Sequence, residues 1–246
     1  MKKNFSFFVI ISSLIFFSCK KENPATPDDS NYKVKTYSET LVNGSDSVSA
    51  TFNFTYDAQN RITLMFQVAN PSEKFVYSYN SDKQVTMDLF SSSGNIHEEL
   101  FFKNSHVDST YQYNDTQDTT TEKYIYNGSN QLTIMYEYDY SNGHPSLSNT
   151  TKYTYDGNGN VVKTEDTDTN VETYDYYPDL VYTMPLISPL LPSQKTNLVK
   201  THTVTSNGYP VGTVTFTYTF DSLNRISTVT QTASGGTIAT STFTYY

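Results

Sequence analysis

A nine-residue pattern recurs along the chain: two aromatic residues one position apart, then Asp or Asn, two variable residues, a residue suited to a tight turn, a polar residue and a branched aliphatic one. It reads Phe54-Thr-Tyr56-Asp57-Ala-Gln-Asn60-Arg61-Ile62 at its first occurrence and Tyr77-Ser-Tyr79-Asn80-Ser-Asp-Lys83-Gln84-Val85 at its second. It returns as Tyr124-Ile-Tyr126-Asn127-Gly-Ser-Asn130-Gln131-Leu132, as Tyr153-Thr-Tyr155-Asp156-Gly-Asn-Gly159-Asn160-Val161 and as Tyr218-Thr-Phe220-Asp221-Ser-Leu-Asn224-Arg225-Ile226. A weaker copy stands at Tyr111-Gln-Tyr113-Asn114. Alternating aromatics place their rings on one face of a strand. The Asp or Asn that follows accepts hydrogen bonds from the turn backbone, and three residues on, Asn or Gly tolerates the left-handed conformation that a type I turn with a bulge requires. Each copy therefore predicts one β-hairpin, with Asp57, Asn80, Asn127, Asp156 and Asp221 as turn caps, and the series predicts a meander.

The intervening sequence is rich in Thr, Tyr, Phe, Val and Ser, with almost no helical periodicity. Ile62, Leu64, Phe66 and Val68 alternate with Arg61, Thr63, Met65 and Gln67; Leu132, Ile134, Tyr136, Tyr138 and Tyr140 alternate likewise, as do Val214, Phe216, Tyr218 and Phe220. Period-two alternation predicts antiparallel strands with one buried face. Pro178, Pro185, Pro189 and Pro192 interrupt this pattern. Because proline is excluded from central strands, the apolar stretch Leu180 to Leu191 is expected to be an ordered, buried crossing loop or a plug over one end. The fold class expected is all-β: an antiparallel meander of roughly fourteen strands curled into a barrel-like roll, since long sheets must curl or close to protect their edges.

The first residues have a different character. Lys2 and Lys3 precede an apolar run from Phe5 to Phe17, and Ser18-Cys19 follows. The run is shorter than the ~20 apolar residues of a membrane-spanning helix and fits a signal peptide. It resembles a type II signal with a lipobox, which makes Cys19 the lipidated N-terminus of the mature protein. Cys19 is the sole cysteine, so no disulfide framework is expected. Residues 1–18 are then the signal peptide, 19–31 the lipidated cysteine and a Pro- and Asp-containing tether, and 32–246 a single β-repeat domain. Loss of Lys2 and Lys3 leaves 14 basic residues against 25 acids, a net charge of −11, which disfavours nucleic acid as a partner.

The repeats resemble the tyrosine–aspartate repeats of bacterial surface and toxin-shell proteins. The mature chain as a whole resembles a family of Bacteroidota lipoproteins of unknown function with a soluble porin-like β-domain; the segment Leu191-Pro-Ser-Gln-Lys-Thr-Asn-Leu-Val-Lys200 and the ending from Gly212 to Phe243-Thr-Tyr245-Tyr246 carry that likeness. The resemblance implies an antiparallel barrel or curled sheet on the outer membrane and brings no catalytic residues. Exported Bacteroidota proteins also resemble one another in bearing O-glycans at Asp-(Ser/Thr)-apolar or Asp-(Ser/Thr)-Thr triplets, which makes Ser47, Ser109, Thr119 and Ser222 candidates.

Signals for chemistry are weak. His97, His106, His144 and His202 lack the spacing of a zinc site, and no Gly-x-Ser-x-Gly elbow occurs. Asp156-Gly-Asn158-Gly-Asn160 and Asp166-Thr-Asp168-Thr-Asn170 share the opening of a calcium loop but lack its later Gly and Glu, so both are read as hairpin turns. No cofactor or metal is expected. With 22 Tyr, 15 Phe and no Trp, tyrosine stripes could line a groove for glycan or peptide, but a tyrosine-rich β-core is the simpler expectation. A transmembrane porin needs an apolar outer band, whereas the second face of these strands is Thr, Ser, Lys and acid. The expectation is a monomeric, non-enzymatic binding or scaffold protein held to the outer membrane through Cys19, on its periplasmic or surface face. A barrel carrying a small apolar or glycan ligand in its lumen is the second reading, and a hydrolase assembled from distant loops the third.

Overall fold

The computed structural model describes residues 33–81, 83–104, 106–115, 118–141, 144–183 and 195–246. They form sixteen strands, each hydrogen-bonded to the next, and β1 pairs with β16 to close the barrel. In chain order these are β1 (Val34–Asn43), β2 (Asp46–Tyr56), β3 (Ile62–Gln67), β4 (Lys74–Ser81), β5 (Gln84–Phe90), β6 (Ile96–Lys103), β7 (His106–Asn114) and β8 (Thr119–Tyr126). They continue as β9 (Leu132–Ser141), β10 (His144–Tyr155), β11 (Val161–Glu165), β12 (Asn170–Thr183), β13 (Lys195–Ser206), β14 (Tyr209–Phe220), β15 (Ile226–Ala233) and β16 (Ile238–Tyr245). The meander expected from the repeats is thus present, closed, with sixteen strands instead of about fourteen. Turns such as those between β5 and β6 and between β6 and β7 carry no aromatic–Asp pattern and so hide strands from the repeat.

The motif turns form as their chemistry dictates. Oδ1 of Asp57 accepts the backbone N–H groups of Gln59 and Arg61, each at 2.9 Å, and Asn60 has φ of 65°. Asn127 does the same for Ser129 and Gln131, Asp156 for Asn158 and Asn160, and Asp221 for Leu223 and Arg225. The left-handed residue falls three places on in every case, at Asn130, Gly159 and Asn224. Asn114 of the weaker copy also caps, accepting the N–H of Asp118 at 3.0 Å. Asn80 does not: β4 runs on to Ser81, which pairs with Gln84 across a bulge. That copy has Lys83 where the others have Asn or Gly, and the Lys83 N–H donates to Ser81 Oγ at 3.1 Å.

Two expected alternations also break. Tyr56 pairs with Ile62 but Thr55 with Leu64, so a bulge at the start of β3 turns Ile62 and Met65 inward. Leu64 and Phe66, expected inside, share the outer face. The same bulge between β8 and β9 puts Leu132 and Met135 on the inner face, with Ile134, Tyr136 and Tyr138 outside. Such a bulge accompanies the left-handed turn residue and shifts the side-chain alternation by one. Pro178 lies inside β12 where the register to β13 slips between Tyr176 and Val181, and β12 then continues to Thr183. The expected crossing loop is therefore strand over its first residues. Leu180 packs against the core, and the remainder, 184–194, lies outside the described residues.

The two ends of the barrel differ. One holds the start of β1, the end of β16 and the even-to-odd turns among the described residues. There the core is dense: Val34, Phe54, Ile62, Leu198, Phe216, Ile226 and Val229 are at most 2% exposed and belong to one apolar cluster spanning β13 to β4 through the β16–β1 seam. The outer face of β1, β2, β13, β14 and β16 carries hydroxyl pairs, while β3 turns Leu64 and Phe66 outward. Thr36 meets Thr244 at 2.6 Å, Ser38 meets Thr51 at 2.9 Å, Thr40 meets Ser49 at 2.9 Å and Thr203 meets Thr213 at 3.1 Å.

Candidate functional site

At the end of the barrel where β1 starts, tyrosines of seven even-numbered strands each reach back to a carbonyl of the strand before, in six cases near the start of that strand. The hydroxyls of Tyr56, Tyr79, Tyr126, Tyr155 and Tyr176 donate to the carbonyls of Val34, Ile62, Val107, Leu132 and Val161. Tyr218 and Tyr245 donate to Val199 and Ile226. The guanidiniums of Arg61 and Arg225 cover the rings of Tyr79 and Tyr245 at 4.0 and 4.2 Å. Each bond gives a carbonyl of the rim a side-chain donor. This rim is structural.

Away from that rim the interior changes character. Residues directly paired across an antiparallel ladder share a face. From buried Leu100 the register leads inward-facing positions to Thr110, Glu122 and Glu137 on β7, β8 and β9. Glu98 pairs with inward Met87, and Asp139 with inward Thr120. On the far wall Tyr153 pairs with Thr164, Thr164 with Glu172 and Tyr174 with His202. The wall from β6 to β13 thus lines the lumen with carboxylates, tyrosines and threonines, opposite the apolar cluster.

Burial and like charge shape this wall. Burial first, and the Glu122 carboxylate next, push the Glu98 carboxyl up to about 7, against the pull of His97. Burial, then Glu122 and Asp139, raises Glu137. The Tyr124 hydroxyl donates to Glu122 and the Thr110 hydroxyl donates to the same oxygen at 3.3 Å. Glu172 is the exception. Contact with His202, whose Nε2 lies 3.4 Å away, holds its carboxyl below the usual value against desolvation, helped by the hydroxyls of Tyr174 and Thr164. The His202 ring stacks on Tyr174 with centroids 4.7 Å apart and planes 4° from parallel.

A cavity of about 200 Å³ opens beside this pair, lined by Thr151, Tyr153, Thr164, Asp166, Asn170, Glu172 and Tyr174. It lies beneath the β11–β12 turn, at the end opposite the start of β1. That turn is the Asp166-Thr-Asp168-Thr-Asn170 sequence. It is a capped hairpin like the others, with Asp166 accepting the N–H and side-chain amide of Asn170 at 2.8 and 2.7 Å, and Thr169 at φ of 64°. Asp156-Gly-Asn158-Gly-Asn160 is likewise a turn. Among the described residues no three His, Cys, Asp or Glu side chains converge as metal ligands.

Of the residues singled out in the sequence, Asp166 and Asn170 line this cavity and His202 stacks on its Tyr174; the other histidines and the candidate glycosylation positions stand apart. His97, on the outer face, bonds Asp88 at 2.6 Å and packs on Tyr113. His106 sits on Tyr126 with Nδ1 2.8 Å from the Asn104 carbonyl oxygen, and His144 is exposed at the start of β10. Ser47 is exposed in β2 and Ser222 in the β14–β15 turn, while Ser109 and Thr119 are half-buried in β7 and β8. Cys19 lies outside the described residues. Glu98, Glu122, Glu137 and Glu172 carried no sequence signal, because each lies alone in its strand and only register assembles them.

No protein-family model matches the chain, and no curated protein sequence matches it. Solved structures do. The barrel is similar in fold to porin-like proteins of Bacteroides. A porin-like protein from Bacteroides uniformis superposes with a TM-score of 0.63 at 13% identity, over 88% of this chain and 99% of that one. One from Bacteroides vulgatus gives 0.56 at 11% identity, over 87% and 99%. The likeness agrees with the porin-like β-domain anticipated from the sequence and supplies a fold for the chain.

Proposed function

We propose that the protein is a non-enzymatic, lipid-anchored envelope receptor that holds a small polar ligand in the anchor-distal half of its lumen. The observation that carries this reading is the cavity beside Glu172 and Tyr174, in a barrel whose other half is filled with apolar side chains. Pockets that combine aromatic walls with a few oriented polar groups are characteristic of ligand sites. The hydroxyl pairs on the outer face of β1, β2, β13, β14 and β16 interrupt any apolar band around the barrel, which supports a barrel standing in water on its tether. Acyl chains at Cys19 would hold the end where β1 begins toward the membrane, leaving the cavity mouth facing away. O-glycans at Ser47, Ser109, Thr119 and Ser222 belong to the same reading; an intact mass equal to the lipidated polypeptide would remove them from it.

The test is a thermal-shift screen of polar metabolites and short glycans against the full chain and its Thr164→Trp variant. Trp at position 164 fills the cavity. A ligand that raises the melting temperature of the parent and leaves the variant unmoved supports the reading. A screen whose hits stabilise both alike contradicts it and returns function to the outer surface as a scaffold.

A further inference from the structure

Resting on the luminal reading above, we infer that the cavity takes a single neutral pyranose, held by its hydroxyls and by its carbon–hydrogen face. The volume of about 200 Å³ is below the ~300–1,000 Å³ of sites for drug-sized ligands, which suits one sugar ring and not a chain of them. Among the described residues no lysine, arginine or histidine lines the cavity, so no cationic group there answers an anionic ligand.

The carboxylates of the wall already have donors, yet acceptor positions remain. The hydroxyls of Tyr174 and Thr164 donate to Oε2 of Glu172, the latter at 3.5 Å, and Nε2 of His202 lies 3.4 Å from the same oxygen. All three groups meet one oxygen, which leaves Oε1 as an acceptor on a side chain that is 40% exposed. Asp166 has its two oxygens on the N–H and the side-chain amide of Asn170. Thr151, half-buried on β10, makes no side-chain hydrogen bond among the described residues. The charge of Glu172 is thus answered from within the wall, and the open positions are a carboxylate oxygen and a hydroxyl. Ligand hydroxyls satisfy such a pair. An ammonium carries three donors on one centre and calls for acceptors that converge, whereas no three acidic or metal-ligating side chains converge among the described residues.

The lining is also graded. Register sets Tyr153, Thr164 and Glu172 side by side on β10, β11 and β12. Thr151, two residues from Tyr153, lies toward the β11–β12 turn with Asp166 and Asn170, while Tyr174, two residues beyond Glu172, lies deeper. Polar groups therefore crowd the mouth, and aromatic rings stand further in. The face of an aromatic ring is electronegative and attracts the polarised C–H groups of a sugar. His202, stacked on Tyr174 at 4.7 Å and 4°, fixes the plane of that ring. A pyranose matches this gradient, with hydroxyls outward and a C–H face inward.

Isothermal titration of the full chain with the methyl pyranosides of glucose, galactose, mannose and N-acetylglucosamine tests this, with sorbitol and protonated glucosamine as parallel probes. The result expected is saturable one-to-one binding of at least one methyl pyranoside. It should be abolished by Thr164→Trp, weakened about tenfold by Glu172→Gln and about threefold or more by Thr151→Val, and unchanged by Thr173→Val, exposed on the outer face of β12. Thr151→Val removes no side-chain bond of the folded chain, so its effect separates a lost ligand contact from a lost fold. Methyl pyranosides that all fail to bind, or that bind every variant equally, overturn the inference. Sorbitol bound as tightly as the pyranosides would overturn the ring, and glucosamine bound tenfold more tightly than they are would overturn the neutral class. If the pyranosides fail while another polar metabolite still requires the unfilled cavity of the parent, the sugar falls and the luminal site stands; if no compound distinguishes the parent from Thr164→Trp, both fall.

Discussion

The hydroxyl of Tyr56 donates to the backbone carbonyl of Val34 at 2.8 Å, tying the end of β2 to the start of β1. Tyr245 makes the equivalent bond to Ile226 at 2.6 Å on the other side of the seam where the barrel closes. Removing either hydroxyl deletes a part-buried hydrogen bond, at a cost of about 1 kcal/mol. Tyr56→Phe and Tyr245→Phe should each lower the urea midpoint without changing the slope. Tyr111→Phe, on an outward and exposed ring, should not. Equal effects at all three positions would mean that the rim bonds contribute nothing.

Thr169 occupies the left-handed position of the β11–β12 turn with φ of 64°. Its equivalents are Asn60, Asn130, Gly159 and Asn224, and a β-branched residue is strained there. Thr169→Asn should stabilise the chain by about 1 kcal/mol, despite loss of the exposed 2.7 Å bond from Thr169 Oγ1 to Asn207 Oδ1. A fall in melting temperature would show that this bond outweighs the backbone term.

Stability should fall at both ends of the pH range for different reasons. The Asp57, Asp156 and Asp221 carboxyls lie below their ordinary value of 3.8: each is desolvated, which raises it, but turn N–H groups and the side chains of Arg61, Asn160 and Arg225 prevail. A folded-state value below the unfolded one gives stability that is present above 3.8 and lost as pH falls through the folded value. Asp221→Asn should flatten this acid limb, because Asn127 shows that an amide oxygen holds the same turn.

Glu98 acts in the opposite sense. Burial and Glu122 raise its carboxyl from 4.5 to about 7. Its contribution is complete below 4.5 and is lost as pH rises through 7. Glu98→Gln should therefore raise the melting temperature at pH values above 7 and leave it nearly unchanged near pH 4. A variant equally affected at both would place Glu98 in water.

The contrast between turns and lumen explains what could be read from the chain. Asp57 to Ile62 is a local device: its cap, its left-handed residue and its bulge lie within six residues, so composition reveals it. The outer and inner faces depend on whether the bulge falls before or after Leu64, and one residue of slip reverses every later side chain. Asn80 does not cap, in the copy that has Lys83 where the others have Asn or Gly. The luminal acids were invisible for a stronger reason. Glu122 and Glu137 are separated by a turn and meet only through the β8–β9 register, and Glu172 joins that wall through three further strands.

The barrel is packed with apolar side chains at the end where β1 starts, and we propose that it is open to solutes at the other. Labelling rates of single cysteines with a water-soluble maleimide test it most directly, using Thr164→Cys in the cavity wall and Val229→Cys, 1% exposed in the parent core, each combined with Cys19→Ser. In the native chain Thr164→Cys should label rapidly and Val229→Cys only on unfolding. Comparable protection of both cysteines would contradict the open lumen, and comparable reactivity would contradict the packed half.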